Sequence, residues 1–226
     1  MRASSLPAAV ALIRRDLGLA LTRGGGPLLA LGFYLTLMAM IPLSLGPDQV
    51  LLSRIAAGLT WLCLALSSLL TLEKLFERDF DDGMFDILRF GPLPIELIAL
   101  LKCLAQWLAS GLILSLATPV VMIILGAVPA LALTGLLAAA LGSLSFALIG
   151  GIGASLSLGT RKGGALMALL VLPFYVPPVI FGAGLMQAAA QGTSPWQALA
   201  FLAAYALFAL ALAPFAMGAA LRGALS

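Results

Sequence analysis

The sequence has no histidine, only two cysteines, and charged side chains at just 9% of its 226 positions. Each deficit removes a class of function. Proton-driven and ion-coupled carriers rely on carboxylates or histidines buried at mid-membrane as relays. Here there is no histidine, and no acidic residue falls at the middle of an apolar segment, so a carrier with its own ion coupling is excluded. No GxxxxGK[ST] phosphate loop occurs, so the chain does not hydrolyse nucleotide and is no enzyme in that sense. Any work it does draws on another subunit. Cys63 and Cys103 lie in or beside apolar segments, with no spacing for a metal site or a disulfide framework. Their expected role is that of small buried hydrophobes.

What is present is apolar. Hydrophobic residues make up 62% of the chain, against roughly 45–50% in soluble domains. That composition defines an all-α integral membrane protein, too short to add a soluble domain, and 1–226 reads as one transmembrane domain. The net charge of +3 says little until the charges are located.

Charge is concentrated in a single island. The run from Leu72 to Glu96, LEKLFERDFDDGMFDILRFGPLPIE, holds seven of the nine acidic residues. Unpaired charge of this density cannot lie in lipid, where each group costs several kcal/mol or more. The island must face water. Around it, at about 20 apolar residues per crossing, six spans fit: 28–45, 51–72, 98–125, 131–158, 165–184 and 198–221. Residues 4–23 form a basic amphipathic helix, with Leu6, Val10, Ile13, Leu17 and Leu21 at helical spacing and Arg14, Arg15 and Arg23 off that line. Its place is flat in the interface of an anionic cytoplasmic leaflet. Arg14 and Arg15 follow its short apolar run where a signal peptide would carry a cleavage site, so no cleavage is expected. Gly24, Gly25, Gly26 and Pro27 turn the chain into the membrane.

Lys and Arg set the orientation. Arg2, Arg14, Arg15, Arg23, Lys74, Arg78, Arg89, Lys102, Arg161, Lys162 and Arg222 share the island's side, and only Arg54 falls opposite. Both termini, the island and the turn at 159–164 are therefore expected in the cytoplasm, and the connections at 46–50, 126–130 and 187–197 outside. Contact with membrane lipid is implied; no nucleic-acid partner is.

Three features within the spans stand out. Gly135, Ala139, Ser143, Ala147, Gly151 and Ser155 form an i, i+4 row of small residues on the fourth span. Such a row permits close helix approach, within the chain or across a dimer seam. The fifth span carries Pro173, Pro177 and Pro178 in LVLPFYVPPVIFG, each of which removes a backbone donor. A bend or break is expected, leading into a re-entrant segment through Met186 or lining a substrate path with Tyr175. Gln106, Trp107, Ser110 and Thr118 in the third span suit helix-to-helix hydrogen bonds, with the path as a weaker possibility.

In the island, Leu72, Leu75, Phe76 and Phe80 extend helical periodicity out of the second span, while Glu73, Glu77 and Asp81 form an acidic row. Gly83 interrupts, Asp81 or Asp82 can cap a new helix, and Asp86 lies in that helix's first turn. The short helix 84–89, apolar on Met84, Phe85, Ile87 and Leu88, is shaped to dock in a partner's groove or to lie on its own bundle.

The phrase LEKLFERDFDDGMFDILRFGPLPIE, followed by LAQW and by LPFYVPPVIFG, resembles the CcmB family, the B subunits of the haem exporter of cytochrome c maturation and permeases of the type-2 ABC exporter kind. The resemblance spans essentially the whole chain; Arg89, Phe90 and Gly91 depart from an expected leucine-rich run ending in Ser. It implies a second copy of the chain, a cytoplasmic CcmA-like ATPase that binds the ATP, a CcmC-like haem-handling subunit, a small CcmD-like subunit and a CcmE-like haem chaperone in a bacterial inner membrane. Glu73, Arg78, Asp79, Asp81, Asp82, Gly83 and Asp86 match the family's coupling segment, within 73–96. Haem would be a substrate and not a cofactor of this chain. Without histidine, a haem held here would need Met, Tyr or Cys, so axial ligation is expected from partners. Three readings stay open: haem transport, mechanical release of a haem-loaded chaperone without transport, and a type-2 permease for another amphiphile.

Overall fold

The computed structural model describes residues 5–22, 26–46, 48–125, 132–160 and 163–225, which are helical almost throughout, with no strand among them. Arg2, Arg23, the Gly24 and Gly25 turn, the connection at 126–130, Arg161 and Lys162 lie outside the described residues. Helix α1 spans Ser5–Thr22, α2 Gly26–Leu45 and α3 Gln49–Leu72. The charged segment forms α4, Glu77–Asp81, and α5, Met84–Arg89. The third span is α6, Ile95–Gln106, joined by a π turn at Trp107–Gly111 to α7, Leu112–Ile124. Helices α8 (Ala132–Leu156), α9 (Gly163–Ala190) and α10 (Trp196–Ala224) complete the chain. Six helical stretches are long and apolar enough to cross a membrane, as the hydropathy required.

Helix α8 is the centre of the bundle, packing on α3, α6, α7, α9 and α10. The small-residue row explains how. Successive i, i+4 steps drift about 40° around a helix with 3.6 residues per turn, so the row meets different neighbours along its length. Gly135 lies against Met122 and Met186, and Gly151 against Cys103 and Met217, whose sulfurs are 3.3 Å apart. Ser143 accepts from Trp107 Nε1 at 3.0 Å and shares a hydrogen bond with Ser115 at 3.0 Å. Ala139, Ala147 and Ser155 are buried as well. All six row residues are thus taken up in packing within the chain.

Helix α9 corrects an expectation. Despite Pro173, Pro177 and Pro178 it runs unbroken through 28 residues to Ala190, so there is no break and no re-entrant segment at 173–190. One freed carbonyl shows why. Pro178 cannot donate to the carbonyl four residues back, that of Phe174. The Tyr205 hydroxyl on α10 donates to that oxygen at 2.6 Å and replaces the missing bond. Tyr205→Phe should therefore leave the Phe174 carbonyl unpaired and cost about 1–3 kcal/mol. Pro178→Ala restores the N–H, so in that background Tyr205→Phe should cost much less. Thermal unfolding of the four proteins in one detergent measures the coupling, and equal costs in both backgrounds would refute it.

Candidate functional site

The charged segment is anchored from below. Phe76 and Phe85 are fully buried, their ring centroids 6.2 Å apart, and Leu93 is buried behind them. Two successive aromatics at this spacing fix where α4 and α5 sit on the bundle. Between the helices Gly83 takes φ +65°, the left-handed conformation that costs other residues roughly 1–2 kcal/mol. This geometry places Asp82 at the C-cap of α4 and Gly83 at the N-cap of α5, with no side-chain cap on α5. The expected capping by Asp81 or Asp82 is thus not seen. Their carboxylates are exposed instead, as are Glu73, Glu77, Arg78 and Asp86.

The short helix α5 lies on its own bundle through one side. Phe85 faces inward while Ile87 and, just beyond the helix, Phe90 are 67% and 93% exposed. This apolar pair is exposed in the same short stretch as Asp81, Asp82, Asp86 and Arg89.

Asp79 differs from its neighbours. It is 6% exposed, and its Oδ2 accepts from Arg15 Nη2 and from Lys102 Nζ, each at 2.5 Å. Asp16 closes the group, Oδ1 accepting from Arg15 Nε at 2.8 Å and Oδ2 from Lys102 Nζ at 2.9 Å. Two cations and two anions balance, and they join three elements: α1, α4 and α6. Burial works against the charged form of Arg15, but Asp16 and Asp79 outweigh it and raise its pKa. Asp79 was expected on the coupling surface and is instead an internal residue. The reach of Lys102 decides this: its ammonium, 5% exposed, lies on the side where α4 passes and demands carboxylates.

Asp16 was missed in the sequence, although the signal was there. It is the one acid in a basic interfacial helix, and Lys102 is a lone cation inside an apolar span; isolated charges in apolar stretches need partners. The same face carries other ties. Arg222 near the end of α10 pairs with Glu96 at the start of α6, and Gly164 at the start of α9 lies against the Glu73 side chain. The island, α1, the α9 start and the α10 end thus share one end of the bundle, the grouping expected from the distribution of Lys and Arg.

Of the residues expected along a path, Tyr175 and Pro178 are packed away. Tyr175 is 2% exposed, donates to the Phe146 carbonyl at 2.7 Å and lies against the Phe146 ring at 4.6 Å. Within the chain it is a core residue, because its hydroxyl finds a carbonyl of α8. Pro178 is buried, Pro177 half-buried, and Pro173 exposed on the outer face. In the third span, Gln106 donates to Ser110 at 3.1 Å, Ser110 approaches Thr71 at 3.4 Å, and Thr118 bonds Tyr34 at 3.2 Å. The bonds of Ser110 and Thr118 are helix-to-helix ties, whereas that of Gln106 stays within the third span; the gap beside Thr71, Gln106 and Ser110, about 10 Å³, has room for one water at most. The π turn, unforeseen in the sequence, allows Gly111 to pass beneath the Trp107 ring.

Six membrane-length helices among the described residues, with an exposed two-helix element at one end, define a multi-pass membrane protein. The chain belongs to the family described as CcmB protein, whose model matches residues 7–224. It is 47% identical over 213 residues to "Heme exporter protein B" of Paracoccus denitrificans (strain Pd 1222), covering 94% of this chain and 97% of that protein. The protein of the same name from Bradyrhizobium diazoefficiens is 44% identical over 217 residues, covering 94% and 96%. That from Escherichia coli (strain K12) is 37% identical over 192 residues, covering 85% and 87%.

Proposed function

We propose that this chain is the membrane subunit of an ATP-driven haem exporter serving cytochrome c maturation. The observation that carries the reading is the match along almost the whole chain to relatives named for haem export. That name favours haem over another amphiphile, and export over mechanical release alone. The chain sits in a bacterial inner membrane with both termini and α4–α5 in the cytoplasm; the crowding of Lys and Arg at the end that carries α4–α5 supports this orientation. It pairs with a second copy and is itself non-catalytic. ATP is hydrolysed by a CcmA-like subunit, a partition supported by the missing phosphate loop. CcmC-, CcmD- and CcmE-like partners supply the haem ligands that a chain without histidine lacks.

Helices α4 and α5 are the element on which the ATPase acts. Exposed Asp81, Asp82 and Asp86, with Glu73, Glu77 and Arg78 behind them, suit a basic rim around a pocket for Ile87 and Phe90. Reversing three charges with Asp81→Lys, Asp82→Lys and Asp86→Lys should leave the permease inserted but cut co-purified ATPase at least tenfold. Unchanged ATPase content and hydrolysis in the purified complex would sink the assignment.

A further inference from the structure

Among the charged residues of α4, only Asp79 turns away from water. Around it, the coupling segment is held to the bundle in two ways with different mechanical properties. Phe76 and Phe85 make apolar contacts, which are non-directional and tolerate sliding. The Arg15–Asp16–Asp79–Lys102 group is held by four directed hydrogen-bonded ion pairs between 2.5 and 2.9 Å. Hydrogen bonds weaken steeply with stretching and bending, and a displaced member would leave buried charge unpaired. Helix α4 therefore moves together with α1 and α6 or not at all. Five residues beyond Lys102, about 7.5 Å along the helix, the third span passes into the π turn at Trp107–Gly111, a kind of irregularity found frequently at functional sites.

We propose that Asp79 is a positioning residue and not an ATPase contact: with Arg15, Asp16 and Lys102 it forms an ionic clamp that carries displacement of the coupling segment into α6 and the interfacial helix α1. The inference rests on α4–α5 being the element that the ATPase moves. It assigns Asp79 a different job from Asp81, Asp82 and Asp86, and it gives α1 a part in the cycle beyond resting on lipid.

The test uses the full complex with its ATPase, purified from cells in which cytochrome c maturation is scored by haem staining. Three chains are compared: the native one, Asp79→Asn, and Asp79→Glu, which keeps a carboxylate for both Arg15 and Lys102. Asp79→Asn is expected to retain the ATPase at the native ratio and hydrolyse ATP within about twofold of the native rate, while maturation falls at least tenfold. Asp79→Glu should recover at least half of the maturation. A purely structural role would lower complex yield and maturation together, without hydrolysis that is uncoupled from output. Native maturation in Asp79→Asn, or loss of the ATPase from an inserted chain, overturns the clamp. If Asp79→Asn fails to insert, Asp79→Glu decides: an inserted Asp79→Glu chain that hydrolyses ATP without maturation also overturns it. Failure of the underlying reading looks different, since the native chain itself would then purify without an ATPase.

Discussion

Trp61→Ala is expected to cost about 3–5 kcal/mol of stability, the range for removing a large aromatic from a packed core. The indole, 1% exposed, lies where α3 meets α8 and α9. A Cβ placed on Gly142 of α8 or on Gly182 of α9 would come within 2.2 Å of its ring, so both glycines leave the space that the ring fills. Phe146 closes the pocket edge-on, with centroids 6.4 Å apart and planes at 67°. Alanine would leave a void bounded by three helices that cannot all move inward, because α8 is held on its other faces. The reverse error should also be costly: Gly142→Leu alone overpacks the site by about 1–3 kcal/mol or more. Combined with Trp61→Ala, the added leucine should refill part of the void, making the double variant more stable than the sum of the single losses. Denaturant-driven unfolding in mixed micelles measures this, and additive losses would refute the picture of one shared space.

Much of this architecture is legible in the sequence because the bilayer imposes a simple rule on composition. Six apolar segments of crossing length can do little else in water or lipid, and a run with Glu73, Asp79, Asp82 and Asp86 cannot join them. The structure lengthens the segments, for example from 165–184 to Gly163–Ala190, since helices extend past the hydrocarbon core. What could not be read depends on side chains meeting across helices. The rescue of the Phe174 carbonyl by Tyr205 links positions 31 residues apart, so three prolines looked like a break. The row from Gly135 to Ser155 suggested one seam, whereas a helix that packs on five neighbours needs small residues on several faces. In the island, exposed and buried carboxylates look alike until Lys102 and Arg15 are placed beside one of them. The link between Asp16 and Lys102, 86 residues apart, is of the same kind.

Lys102→Met is expected to be among the most damaging single substitutions outside the aromatic core, at about 3–5 kcal/mol. The reason is not the value of the cluster as a whole. Taking two carboxylates and two cations out of water is costly, and their mutual attraction only roughly offsets that cost. Removing the ammonium leaves Asp16 and Asp79 sharing a single guanidinium, in a site where Asp79 is 6% exposed and little water can enter. One carboxylate must then take up a proton or pull outward, and pulling outward drags α4 or α1 with it. Replacing all four charges, by Arg15→Met, Asp16→Leu, Asp79→Leu and Lys102→Met, removes the unpaired charge along with the pairs. That variant should regain most of the lost stability, so its melting temperature in detergent should lie well above that of Lys102→Met and near the native one. A quadruple variant as unstable as Lys102→Met would mean that the ion pairs themselves hold α1 and α4 to the bundle. Recovery would leave the apolar anchors Phe76, Phe85 and Leu93 as the source of stability, and transmission of movement as the reason for keeping a buried cluster that folding does not need.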